Sequence, residues 1–330
     1  MTRTVTALPP VTDVLKARIL TSPRTAAAHA ALMDDMPAMH VLEVGGEAQA
    51  RLGREFVVAS WNVERCLFPQ ASAKYLAARF PALVLLSEMD LGMARTGQCN
   101  TTAEIADALG MTYAYGVEFF EMGLGVAAEA RFCTDDFNVL GFHGNAILSS
   151  EPFQDLRLIR LPDEGYWFEA DGNGSTDQPR IGTRMAVAAI LETQNGPICA
   201  VSTHLESNAA APYRHKQMRV LLDAIDDFAP ALPVVLGGDL NTGNHMPPDF
   251  DWRRETLFEL AEARGYNWGA TPEGHTTQPS FITPHPTRSM RLDWIALRQA
   301  TGRPHPLDFC KDAEGRPLSD HLPVFATVVL

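Results

Sequence analysis

The sequence predicts an α/β protein built mainly as one large domain, and three observations predict it. Apolar runs of strand length alternate with helical patterns from about residue 55 to the end of the chain. Two of these runs, residues 56–61 and 82–87, flank a helical stretch at 71–80 and so form a strand–helix–strand unit. Several runs also end on a polar residue suited to acid–base or metal chemistry.

The elements follow in order. Residues 1–54 differ from the rest: 11–20 reads as a short helix and 25–33 as an Ala-rich one. Pro9-Pro10, Pro23, Pro37 and Gly45-Gly46 cut this segment into pieces. It is expected to be an extension packed on the main domain, residues 55–330, or on a second copy of the chain. In the main domain, strand 56–61 ends at Asn62 and strand 82–87 at Glu88, and helix 101–109 stops at Gly110. Residues 145–148 and 185–190 read as strands, and 197–202 as a strand running into Thr203-His204. An amphipathic helix at 213–228 precedes strand 233–238, which enters Asp239-Leu240-Asn241. Strand 292–297 and the terminal run after His321 complete the set. There is no internal repeat and no low-complexity segment.

Composition narrows the function. A chain of 330 residues, 46% hydrophobic and 20% charged, can bury a large core. No apolar stretch is long enough to span a bilayer, and the N-terminus lacks a signal-peptide layout. The five cysteines show no CxxC spacing, so they are expected to be reduced thiols in a cytoplasmic protein, not a zinc site. The net charge of −13 disfavours duplex DNA, whose binding depends on Lys and Arg neutralising phosphates. Charge therefore favours a small or singly charged substrate.

Asn62, Glu88, His204, Asp239, Asn241, Asp293, Asp320 and His321 all lie at or beside strand ends. Taken singly, Asn62, Asn241 and Asp293 would more often be caps or turn residues, and His204 a satisfied core histidine. Their recurrence across strands is what overturns that reading. Carboxylates and side-chain amides suit hard divalent cations, and imidazoles add hydrogen bonding and proton transfer near neutral pH. Together they are equipment for phosphoryl ester hydrolysis.

Three further features need placing. Residues 171–177 have oxygen side chains at alternate positions but lack the sixth-position Gly and closing Glu of an EF-hand, so a solvated loop is expected. Trp167, Trp252 and Trp268 form either an aromatic wall for a substrate or, by default, core packing. The loops at 96–100 and 274–277, with Cys99, Asn100 and His275, are expected to face the site and set specificity.

The motifs Ser60-Trp61-Asn62, Leu86-Ser87-Glu88, Gly144-Asn145-Ala146, Ser202-Thr203-His204, Gly237-Gly238-Asp239-Leu240-Asn241, Arg291-Leu292-Asp293-Trp294 and Ser319-Asp320-His321 occur in one order. In this the chain resembles the endonuclease/exonuclease/phosphatase superfamily, of DNase-I-like fold, over about residues 55–330. The resemblance implies a four-layer α/β/β/α sandwich, two mostly antiparallel sheets with helices outside and the site at one end. It implies one or two Mg²⁺ or Mn²⁺ ions held by Glu88, Asn62 and Asp320, with a second position at Asp239 and Asn241. Asp239 and Asn241 would otherwise position the attacking water. His321, oriented by Asp293, would contact the phosphate, His204 would stabilise the transition state or protonate the leaving oxygen, and Asn145 would bind substrate.

The stretch 203–207 with Arg214 and Gln217 looks nearer the sphingomyelinase-like and small-molecule branches than the abasic-site nucleases. Val63-Glu64-Arg65 stands where those nucleases carry a glycine-containing sequence. The expectation is a metal-dependent phosphodiesterase acting on a small molecule or lipid headgroup. A nuclease for short or single-stranded ends and a non-catalytic binding module are the alternatives.

Overall fold

The computed structural model describes residues 2–48, 50–162, 166–169, 179–246, 250–284 and 289–330. Its strands and helices run, in chain order, β1 (Arg3–Val5), α1 (Asp13–Thr21), α2 (Ala26–Asp34), β2 (Val41–Gly46), β3 (Glu55–Asn62), α3 (Pro69–Ala77), β4 (Leu83–Leu91), α4 (Thr101–Leu109), β5 (Thr112–Glu121), α5 (Ala127–Ala130) and β6 (Phe142–Ser149). They continue with β7 (Phe153–Arg160), β8 (Arg180–Gly182), β9 (Met185–Leu191), β10 (Ile198–His204), α6 (Ala211–Phe228), β11 (Val234–Asp239), α7 (Leu257–Glu262), β12 (Tyr266–Asn267), β13 (Asp293–Arg298), β14 (Thr301–Pro304) and β15 (Val324–Val329).

Side chains alternate across each strand, and that alternation builds the layers. In β4, Leu83 and Leu85 face the second sheet while Val84 and Leu86 face the outer helices. In β11, Val235 faces inward, and Val234 and Leu236 pack outward beneath α6 and α7. Three apolar layers result, one between the sheets and one outside each, which is a four-layer sandwich. Burying each such side chain contributes about 1.5–3 kcal/mol.

The larger sheet has the order β1-β2-β5-β6-β4-β3-β15-β14, with β8 paired to β5. The smaller has the order β12-β13-β11-β10-β9-β7. Pairing is mostly antiparallel, the parallel pairs being β1–β2, β3–β4 and β10–β11. The register aligns the strand ends that matter, with Asn62 opposite Ser87, His204 opposite Asp239, and Asp239 opposite Asp293. The sheets approach closely here, where a Cβ on Gly237 would lie 2.7 Å from Leu85 Cδ1, and within the smaller sheet a Cβ on Gly238 would lie 1.9 Å from the Thr203 carbonyl oxygen.

Residues 1–54 contain more than short helices. Thr12 and Thr25 cap α1 and α2 with their side chains, while β1 and β2 extend the larger sheet beyond β5. Ile19, Leu32, Met36 and Met39 join the outer apolar cluster of that sheet. These strands carry no alternating apolar signal, because one is three residues long and the other holds Glu43 and two glycines. Among the described residues, no helix is long and apolar enough to cross a membrane. The oxygen-rich stretch at 171–177 lies outside the described residues.

Candidate active site

All eight strand-end residues are tied together by direct contacts, with Asp239 at their centre. Asp239 Oδ1 accepts from the Asn241 backbone N–H at 2.9 Å, and Oδ2 accepts from Asn62 Nδ2 at 3.0 Å. His204 Nε2 and His321 Nε2 lie 3.5 and 3.7 Å from the same Oδ2. His321 Nδ1 is 2.8 Å from Asp293 Oδ2, and its Nε2 is 3.8 Å from Asp320 Oδ1. Asn62 Nδ2 also donates to Glu88 Oε1 at 3.1 Å. Asn241 contributes through the loop, its φ of 51° turning the chain back so that its N–H reaches Asp239.

Local backbone devices aim these groups. The β4–β6 pairing slips between Leu86 and Met89, and Glu88 inside the slip has φ 60°. A bulge of this kind re-aims a side chain, here the Glu88 carboxylate toward the end of the sheets. Ser319 Oγ donates to the Asn62 carbonyl at 2.7 Å and accepts from the His321 N–H at 2.9 Å, and Trp61 Nε1 donates to the His321 carbonyl at 3.0 Å. Those bonds stitch the entry to β15 onto the exit of β3. The Thr276 hydroxyl oxygen accepts from the Leu292 and Asp293 N–H groups at 2.9 and 3.2 Å and fixes the entry to β13.

A cavity of about 200 Å³ opens over this cluster, lined by Glu64, Arg65, Glu88, Arg184, His204, Ser207, Asp239, Asn241, Ile282, Thr283, Asp320 and His321. A larger cavity of about 540 Å³ lies elsewhere, on the outer face of the smaller sheet. Trp252, Phe258, Trp268 and Trp294 pack edge to face around it with ring centroids 4.6–5.7 Å apart. It shares no lining residue with the smaller cavity, where the strand-end residues gather. Trp252 and Trp268 are thus packing residues, and Trp167 donates to Glu206 at 3.0 Å away from them.

Charge in the site is unevenly compensated. Burial opposes ionisation of Glu88, but Arg65, with Nη1 at 2.5 Å, outweighs it and holds the carboxyl well below its usual range. Burial likewise opposes Glu118, yet His204 and Arg184 bring it down to about 2. Burial pushes Asp293 up to about 6. Burial also disfavours the His321 cation, but Asp293, then Asp320 and Asp239, outweigh it and raise that imidazole well above its ordinary value. At neutral pH the pair is an imidazolium beside a carboxylate. Burial, with Asp320 nearby, raises Glu64 to about 8.

Both asparagine amides are engaged. Asn62 Oδ1 accepts from the Glu64 N–H at 3.0 Å, and its nitrogen donates to Glu88 and Asp239. The Asn241 amide is engaged with Leu205 O at 3.0 Å and Asn244 Nδ2 at 2.6 Å, so it braces the loop while lining the cavity. Asp239, Asp293 and His321 have ligand atoms within 4.8 Å of one another and could hold a metal ion. Among the described residues, Asp293 Oδ1 is buried without a hydrogen-bond partner.

The four residues read as substrate-binding lie outside the cavity's lining. Asn100 caps α4 and donates to Glu43 at 2.6 Å, and Cys99 Sγ donates to Thr96 O at 2.8 Å. Asn145 is buried and donates to Met185 O at 3.0 Å, while exposed His275 pairs with Ser289 Oγ at 2.5 Å. The loop after His275 does reach the site, but through Ile282 and Thr283.

Sequence reasoning missed Arg65, Arg184 and Glu118. Arg184 Nη1 lies 2.8 Å from Glu118 Oε1 and 2.9 Å from His204 Nδ1, and its Nε lies 3.2 Å from Glu206. The available signal was a pair of carboxylates, Glu118 and Glu121, inside an otherwise apolar and aromatic strand.

Comparisons agree with this architecture. No curated protein sequence matches the chain. An endonuclease/exonuclease/phosphatase protein from Beutenbergia cavernae DSM 12333 is similar in structure at 18% identity, covering 84% of this chain and 72% of that one with a TM-score of 0.57. The human Nocturnin catalytic domain, solved with a bound sulfate anion, is similar at 16% identity over 87% of this chain and 96% of that one, TM-score 0.57. Humanized D. rerio TDP2 is similar at 21% identity over 84% of this chain and all of that one (100%), TM-score 0.51. The family model described as Endonuclease/Exonuclease/phosphatase family matches residues 59–321. With that match spanning both sheets and every strand-end residue of the site, the chain belongs to the endonuclease/exonuclease/phosphatase family.

Proposed function

We propose that the protein is a divalent-metal-dependent phosphoesterase that hydrolyses a small-molecule or lipid-headgroup phosphoester, most simply a diester, by in-line attack of water. The observation that carries this reading is the convergence of Glu88, His204, Asp239, Asp320 and His321 on one cavity of about 200 Å³. Its carboxylate-rich donor set, with no cysteine in the lining and Asp293 Oδ1 unpartnered behind it, fits an oxygen-seeking cation such as Mg²⁺ or Mn²⁺. Glu88, Asp320 and Asp239 would hold it, and when bound it would neutralise charge developing on phosphate oxygens.

The protein's own groups supply the rest. Asp239, with Oδ1 fixed by the Asn241 N–H, orients a water through Oδ2 and accepts its proton. His321, fixed by Asp293 at 2.8 Å, donates from Nε2 to a phosphate oxygen. His204, braced by Arg184 and Glu118 and 3.5 Å from Asp239 Oδ2, meets the leaving oxygen.

The test is hydrolysis of bis(p-nitrophenyl) phosphate by Mn²⁺-loaded protein. Turnover should vanish with chelator and in Asp239→Ala. Metal-loaded protein that cleaves no phosphomonoester, diester or triester would sink the hydrolase reading. For the substrate class, tight and steeply salt-dependent binding of a DNA oligomer would overturn the preference for small substrates.

A further inference from the structure

Glu64, Arg65 and Cys66 have φ values of 45°, 68° and 53°, three successive residues with side chains in the left-handed region. Glycine would adopt this turn without steric conflict. The chain instead places there an arginine whose side chain reaches the cavity over the strand-end cluster. Backbone strain of this kind persists where surrounding contacts over-determine it, and it gathers at functional sites.

The Arg65 side chain is over-determined. Nε donates to Glu129 Oε1 at 2.7 Å, and Nη1 donates to Glu88 Oε2 at 2.5 Å and lies 3.2 Å from His143 Nε2. Among the described residues Nη2 makes no hydrogen bond, and the side chain keeps 16% exposure where it lines the cavity. One edge of the guanidinium is clamped and one corner is left over. Arg184, the other guanidinium in the lining, is different: its Nε, Nη1 and Nη2 are taken by Glu206, Glu118 with His204, and Ser207. Arg184 is a positioning residue, and Arg65 has a donor to spare.

We infer that Arg65 contacts the substrate, its Nη2 donating to an anionic non-bridging oxygen of the phosphate ester. This rests on the phosphoesterase reading and deepens it by naming the substrate class. A guanidinium rewards a charged oxygen, present in phosphomonoesters and diesters and absent from neutral triesters. Arg65 thus selects anionic esters, and its pairing with Glu88 keeps the donor in place before substrate arrives.

The experiment compares wild type with Arg65→Lys and Arg65→Gln, all Mn²⁺-loaded. It measures KM and kcat on bis(p-nitrophenyl) phosphate, kcat/KM on its neutral methyl triester, inhibition by inorganic phosphate, and Mn²⁺ affinity by electron paramagnetic resonance. Arg65→Gln should raise the diester KM and weaken phosphate inhibition by about tenfold or more. Its kcat/KM should fall several-fold less on the triester than on the diester, and Arg65→Lys should recover part of the diester loss. Unchanged KM and phosphate inhibition, with lowered Mn²⁺ affinity or melting temperature, would make Arg65 a brace for Glu88 and overturn the inference. Should Arg65→Gln fail to fold with Glu129 left only its longer ion pair to Arg95 at 3.3 Å, the double variant Arg65→Gln with Glu129→Gln carries the same comparison. A wild-type protein that neither binds Mn²⁺ nor cleaves any ester sinks the phosphoesterase reading and this inference with it, an outcome distinct from a variant-specific null.

Discussion

The two sides of the site hold similar numbers of buried carboxylates but treat them in opposite ways. Around β4, β5 and α5, Asp90 pairs with Arg95, Glu121 with Arg95 and Arg180, and Glu129 and Glu88 with Arg65. Asp90 also holds His143 at 2.9 Å, so the carboxylates of that layer are matched to nearby cations. Around the ends of β11 and β13 and the entry to β15, Asp239, Asp293 and Asp320 converge on the imidazole of His321. Among the described residues, neither Asp239 nor Asp293 forms an ion pair with lysine or arginine. A buried carboxylate without compensation is costly, so the balanced side reads as scaffold, apart from Glu88 where it reaches the cavity, and the deficient side as the place for a cation and its chemistry.

That contrast is broken most sharply by substitutions on the deficient side. Asp239→Ala should lower turnover on bis(p-nitrophenyl) phosphate by about 10²- to 10⁴-fold. His321→Ala should lower turnover by about 10²-fold or more with Mn²⁺ affinity nearly unchanged. Glu88→Ala should instead weaken Mn²⁺ binding directly. Equal metal loss in the two variants would show that the roles are misassigned.

The dyad gives a pH signature. Asp293 is the largest attraction that raises His321, so Asp293→Asn lets the imidazole lose its proton at lower pH. The alkaline limb of the pH–kcat profile should move down, and an unmoved limb would remove His321 as the proton-bearing group.

A smaller effect sharpens the balanced side. Glu118 is depressed from 4.5 to about 2 by His204 and Arg184 against the opposing cost of burial. Its stabilisation is fully present above 4.5 and is lost as pH falls toward about 2, a span worth on the order of 3 kcal/mol. Glu118→Gln should therefore be less stable than wild type at pH 7, with the difference shrinking between pH 4.5 and pH 2. Urea unfolding at several pH values measures it, and a constant difference would contradict the ionic account. Least of all, Trp268→Leu in the aromatic cluster behind the smaller sheet should leave turnover unchanged while lowering the melting temperature.

The sequence displayed the site's catalytic-type residues because each ends an apolar strand, and strand ends are visible as a change from apolar to polar. Asp239 and His321 could be found that way. Arg65, Arg184 and Glu118 could not, since their roles come from cross-strand and turn geometry that no local period records. The strands β1, β2, β5 and β7 were hidden for a related reason: they are short, or interrupted by glycines and charges such as Glu43 and Glu118. Reading the loop at 96–100 as site-facing failed because Asn100 turned out to be a helix cap, a role its neighbours Thr101 and Thr102 did not betray.

The most direct measurement is a Mn²⁺ titration followed by electron paramagnetic resonance in wild type, Asp239→Asn and Glu121→Gln. If the cation deficit marks a metal site, wild type and Glu121→Gln bind Mn²⁺ alike, and Asp239→Asn binds it far more weakly. Equal weakening in Asp239→Asn and Glu121→Gln, or no Mn²⁺ binding by wild type, would contradict the account.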